Sequence, residues 1–225
     1  PATFDDIVAF RATHLEGYQD RALADRYRAQ VKRIAELEAR RTPGRKTIVE
    51  AVAREYFKLL SYKDEYEVAR LYTDGRFEKA LGDTFDGNLR LEFHLAPPLL
   101  SWWNKDKVTG HPRKISLGRW MLPVFRVLAK GKALRGSKLD IFGYTAERRL
   151  ERRMIDDYEV MLAEIERQLK PETHLTAVAL AGLPEEIKGF GHVKLANYDK
   201  AKKKESQLLD MLRNPKPAST LKAAE

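Results

Sequence analysis

Gly189-Phe190-Gly191-His192-Val193-Lys194 is the best local candidate for an anion site in this chain. Glycines just ahead of a helix expose backbone N–H groups, the helix start favours negative charge, and Lys194 stands within reach of a bound anion. The run lacks the longer glycine frame ending in Lys and Ser or Thr that a P-loop needs, and it follows no predicted strand. The preferred reading is that its glycines permit close packing of a turn, with Phe190 as a hydrophobic plug. His14, His94, His111, His174 and His192 include no pair at helical ligand spacing, so they are expected to be structural or exposed rather than zinc ligands. Adjacent carboxylates such as Asp64-Glu65, Asp156-Asp157 and Glu185-Glu186 do not face one another on a helix, which argues against paired acid–base work. They read instead as charged helix faces held by ion pairs, Glu67 with Arg70 among them. Trp102 and Trp103, near Pro97 and Pro98, read as anchors of a loop to a core rather than as a binding platform.

Cysteine is absent from the 225 residues. That removes disulfides, iron–sulfur ligation and thiol nucleophiles from this chain, and it fits a reducing, cytoplasmic setting. The longest apolar stretch, Trp120 to Ala129, is interrupted by Pro123 and Arg126 and is too short to span a bilayer, so no membrane partner is expected. A net charge of +9 favours acidic partners. Much of the excess is local, however, in Arg40, Arg41, Arg45 and Lys46 and in Lys200, Lys202, Lys203 and Lys204. Such runs are usually solvated helix faces, and nucleic acid is not the expected partner. The chain begins at Pro1 rather than Met, which predicts a segment of a larger polypeptide.

The elements that must position these residues are mostly helical. Thr3 followed by Asp5 and Asp6 marks a helix start, and apolar residues recur at Ile7, Phe10, Leu15, Tyr18, Leu23, Tyr27, Val31, Ile34 and Leu37 until the stop at Thr42-Pro43-Gly44. A second helix is predicted from Lys46 to Tyr72, giving a long helical hairpin over about 4–73. From Gly82 to Gly118 the chain is rich in glycine and proline. Alternation at Leu89, Leu91, Phe93 and Leu95, with an echo at Ile115 and Leu117, predicts a short antiparallel pair of strands with a long connection that includes the turn Thr109-Gly110-His111-Pro112. Helices are predicted again at Met121 to Leu134, Thr145 to Leu169, Thr173 to Ala181 and His192 to Arg213. The tail, 214–225, is expected to be flexible.

Tyr62 to Phe77, Asn88 to Leu100, Gly110 to Lys114, Trp120 to Phe125, Gly143 to Arg149 and Leu183 to Lys194 together resemble the C-terminal, family-specific region of the long fused indolepyruvate ferredoxin oxidoreductases. The resemblance extends from Leu15-Glu16-Gly17-Tyr18-Gln19 to the last helix. It implies a bacterial-type parent that oxidatively decarboxylates aryl 2-oxoacids to acyl-CoA with ferredoxin as acceptor, using thiamine diphosphate, magnesium and iron–sulfur clusters. Of the family's thiamine pattern, Gly-Asp-Gly followed by a distant Asn, this chain offers only Thr73-Asp74-Gly75, so no catalytic, cofactor-binding or metal residue is carried over.

The resulting expectation is a mainly α fold: two long N-terminal helices, a small β-hairpin and loop insertion over about 82–118, and C-terminal helices over about 120–213, all in a single domain spanning 1–213. The expected role is a non-catalytic accessory or assembly domain with no cofactor of its own, partnered by the parent's upstream catalytic domains and compatible with a homo-oligomer. A free-standing basic helical module for nucleic acid or another polyanion is the alternative, and an enzyme site of its own among the charged segments is a third. The candidate docking or anion-binding surface comprises Lys63, Asp64, Glu65, Arg70, Arg148, Arg149, Arg152, Gly189, Gly191, His192 and Lys194.

Overall fold

The computed structural model describes residues 2–87, 90–95 and 115–215. Leu89, Trp102, Trp103, the Thr109–Pro112 turn and residues 216–225 of the expected tail lie outside the described residues. The fold is mainly α, with nine helices and one two-stranded antiparallel sheet among the described residues.

Thr3 opens the first helix as its residue type predicts. Its hydroxyl accepts the Asp6 N–H at 3.2 Å while the Asp6 carboxylate accepts the Thr3 N–H at 2.9 Å, a reciprocal cap. The expected single helix to Thr42 is in fact two, α1 (Phe4–Tyr18) and α2 (Arg21–Arg41). Asp20 makes the break: its carboxylate accepts the Leu23 N–H at 2.8 Å and restarts the helix, an N-cap that unbroken apolar periodicity conceals. The second expected helix divides the same way into α3 (Thr47–Leu60) and α4 (Glu65–Thr73), with Asp64 capping the Glu67 N–H at 2.8 Å. Two long helices are therefore four shorter ones. A further helix, α5 (Arg76–Thr84), fills a stretch for which no element was predicted and that runs into the expected loop; it starts behind Gly75, whose φ of 85° suits glycine.

The chain forms two compact units, one from residues 1–62 with 149–225 and the other from 63–148. In the first, α1, α2 and α3 pack with most of α7 (Ala146–Gln168), α8 (His174–Gly182) and α9 (Gly191–Arg213). Leu15, Tyr27, Ile34, Ile48, Tyr56, Leu162 and Ile165 are wholly enclosed. Tyr27, Tyr56 and Tyr158 stack through this core with ring centroids about 6 Å apart. Their hydroxyls donate to the Ala53 carbonyl, to Glu159 and to the Ala181 carbonyl, so each buried phenol is satisfied. The α1 periodicity misleads at one end, because Phe10 is 72% exposed while Leu15 is enclosed.

The second unit builds a smaller core. Strand β1 (Glu92–Leu95) pairs antiparallel with β2 (Ile115–Gly118), as the alternation predicts, and the structure sets the register with Phe93 opposite Leu117. Phe93 meets Tyr72 of α4 and Phe125 of α6 (Met121–Lys130) with centroids 5.0 and 5.1 Å away. This aromatic knot lets so short a sheet persist, since two strands alone bury too little apolar surface.

Candidate functional site

Asp64 divides its carboxylate between two tasks. Beyond capping α4, it accepts from Arg135 Nε at 2.5 Å and Nη2 at 2.9 Å, and both side chains are buried. This buried pair removes Asp64 from any docking surface: a carboxylate this enclosed is held because its partners replace water. Arg70 likewise faces its own unit. Its Nε and Nη2 fork onto the two Glu67 oxygens at 2.8 Å each, and Nη1 lies 3.4 Å from Asp74. Glu65 and Arg148 pair at 3.6 Å; burial raises the Glu65 carboxyl above its ordinary range, and Arg148 only partly offsets that. Lys63 alone of this group is exposed.

Asp140 anchors the turn that follows α6. It accepts the N–H groups of Gly136 and Gly143 at 2.8 and 3.0 Å and lies 3.3 Å from the Tyr66 hydroxyl. Burial and the neighbouring Asp140 charge together push the Tyr66 phenol up to about 12. Asp64, Glu65, Tyr66, Glu67, Arg70, Asp74, Arg135 and Asp140 thus hold the second unit together by a charged scaffold.

The remaining candidates lie in the first unit. Arg149 is exposed and Arg152 half-buried. Lys194 does not wait for an anion: its ammonium donates to the buried Glu151 at 2.7 Å. At Gly189 the φ is 96°, and an added Cβ would lie 2.8 Å from the Val193 side chain, so the close-packing part of the sequence reading describes this turn. The plug does not: Phe190 is 79% exposed, with Val193 and Leu195 also open to solvent and His192 and Gly191 exposed beside them. Two of the four lysines in the run of α9 are engaged. Lys202 contacts Glu205 at 2.7 Å and Asp157 at 3.4 Å, and Lys204 contacts Glu186, which weakens the case for a polyanion stripe.

One cluster escaped the sequence reading. Glu38, on the buried stripe of α2, accepts the N–H groups of Ile48 and Val49 at 3.0 and 2.9 Å and lies 2.8 Å from His174 Nε2. It serves α3 as the N-terminal cap that Lys46 cannot supply. The signal was present, because Glu38 falls four residues beyond Ile34 and seven beyond Val31, a carboxylate in step with an apolar stripe. Its partner, 136 residues distant, leaves no periodic trace. Among the described residues no group of three or more His, Asp or Glu side chains is arranged to hold a metal ion, and no helix is long and apolar enough to cross a membrane.

The model of a family of unknown function, DUF6537, matches residues 4–207. The chain belongs to this family. The match covers both units of this DUF6537 chain, from the Thr3-capped helix to the lysine run of α9. No curated protein and no solved structure matches it.

Proposed function

We propose that this DUF6537 domain is a non-catalytic accessory or assembly domain of an indolepyruvate-type 2-oxoacid ferredoxin oxidoreductase, docking on catalytic domains that carry the thiamine diphosphate, magnesium and iron–sulfur chemistry. The observation that carries the docking role is the start of α9. Phe190 and Val193, three residues apart around the first turn, are 79% and 46% exposed, in the segment Leu183 to Lys194 where the resemblance to that family lies. Large apolar side chains grouped in water mark an interaction face more often than they mark a monomer's surface. Trp120, Val124 and Val127, exposed at successive turns of α6 and its start, add a second such stripe in the other unit. The polar docking face expected from Asp64 and Arg70 gives way to these apolar residues, while Lys63, Arg149 and His192 are exposed within their own units.

Phe190→Asp tests the reading. An exposed side chain contributes little to stability, so the variant should melt within about 0.5 kcal/mol of the parent chain while losing co-purification with the catalytic domains of the oxidoreductase. Retained co-purification of a folded Phe190→Asp chain sinks the assignment of this face.

A further inference from the structure

We propose that the outer face of α6 is the docking site for an acidic amphipathic helix of a partner protein. The partner's apolar row seats on Trp120, Val124 and Val127, and its carboxylates meet Arg119, Arg126 and Lys130. This rests on the docking role proposed above and supplies the chemistry of the partner at its second stripe.

The helix is apolar on two sides at once. Leu122 and Phe125 are buried in the core of the second unit, yet Trp120 and Val127, on the opposite side, are 63% and 72% exposed, with Val124 exposed between them. Trp120 already has helical backbone angles, φ −58° and ψ −16°, so steps of four and then three residues set these side chains in one row. A helix clothed in apolar residues all round is ordinarily enclosed all round, and among the described residues this one is enclosed on one side. A second row, Arg119, Pro123, Arg126 and Lys130, lies about 100° round the helix from the first, and all four residues are exposed. No Asp or Glu occurs from Arg119 to Leu134. Glu78 of α5 lies 3.4 Å from Arg126, but both side chains are half-exposed, so water screens the contact and a partner's carboxylate can replace it. Arg119, Trp120, Pro123 and Arg126 also line one cleft of about 380 Å³, so the apolar and basic rows border the same depression.

The two rows select the occupant. A second copy packing α6 on α6 brings Arg119, Arg126 and Lys130 against the same cations, and the chain's own residues 96–114 carry four basic residues and one acidic one. Neither complements the basic row. Lipid-facing helices rely on Trp, Phe and Leu over a broad face, whereas two of the three apolar residues here are valines, in a row one side chain wide. A helix with apolar residues at i, i+4 and i+7 and carboxylates in the adjoining row meets both rows over about 16 Å, the length from Arg119 to Lys130. Because the charges run along one flank only, they also fix the direction in which the partner lies.

Replacing Val127 by the photoreactive p-benzoylphenylalanine, in the protein as its own cells make it, and sequencing the crosslinked segment by mass spectrometry tests the face. The expected crosslink is to a protein segment whose acidic residues outnumber its basic ones and flank an apolar row at helical spacing. The double reversal Arg126→Glu, Lys130→Glu, confined to exposed side chains and so expected to fold, should lower the crosslink yield at least about tenfold, because like charges then face each other. Lys63→Glu, exposed in the same unit, should leave the yield unchanged. A crosslink to a second copy, to residues 96–114, to lipid or to a segment without an acidic excess overturns the proposal. So does the absence of any crosslink, or a yield that the double reversal leaves intact in a folded chain. An acidic segment belonging to a protein other than the oxidoreductase upholds this face and counts against the oxidoreductase role, so the two readings fail separately.

Discussion

Reversing Arg70 separates a structural network from a docking charge. Its guanidinium grips both oxygens of Glu67 at 2.8 Å and reaches Asp74 at 3.4 Å, and the Arg70 and Glu67 side chains are only 13% and 3% exposed. Removing one member of an ion pair this enclosed costs about 3–5 kcal/mol, because the remaining carboxylate has lost the water that would stabilise it. Arg70→Glu adds repulsion among Glu67, Asp74 and the new carboxylate, so that range is a lower bound. For a unit of this size each kcal/mol lowers the melting temperature by about 4–8 °C, which gives a fall of at least about 12 °C. Tryptophan fluorescence isolates the effect, since Trp102, Trp103 and Trp120 all fall within residues 63–148. Lys63→Glu, on an exposed side chain, should stay within about 0.5 kcal/mol of the parent chain. If Arg70→Glu melts within about 2 °C of the parent chain by this probe, Arg70 does not hold its unit together and the docking reading of this residue returns.

Gly131 should resist even alanine: an added Cβ would sit 2.8 Å from the Tyr66 ring, and displacing that buried ring should cost about 1–3 kcal/mol in denaturant melts. Alkali should unfold the first unit through its tyrosine stack. Burial raises the phenols of Tyr27, Tyr56 and Tyr158 above their ordinary value, so their contribution is fully present below about pH 10 and is lost as pH rises towards the folded values, by up to about 1.4 kcal/mol per pH unit for each. Tyr158→Phe should reduce that slope by one tyrosine's share, and a denaturation midpoint that stays flat across this range would refute the account.

Helix content and the strand pair were legible in the chain because each rests on local rules. Thr3 with Asp6 caps a helix over three residues, Pro43-Gly44 ends one, and Leu91, Phe93 and Leu117 alternate with the period of a strand. The breaks at Asp20 and Asp64 were written in the same chain but hidden, since a carboxylate inside a periodic run reads equally as a solvated helix residue until its partners are known. What charged residues do was legible only where the partner lies a turn away, as for Glu67 and Arg70. Arg70 and Lys63 are of one chemical kind and seven residues apart, yet one is locked between two carboxylates and the other stands in water. Glu38 and His174 meet across 136 residues, and Asp64 meets Arg135 across 71. Hydrophobic period depends on neighbours three or four residues away and so survives in one dimension. The partner of a buried charge is chosen by which chain segments the packed core brings together, and only the tertiary structure makes that choice.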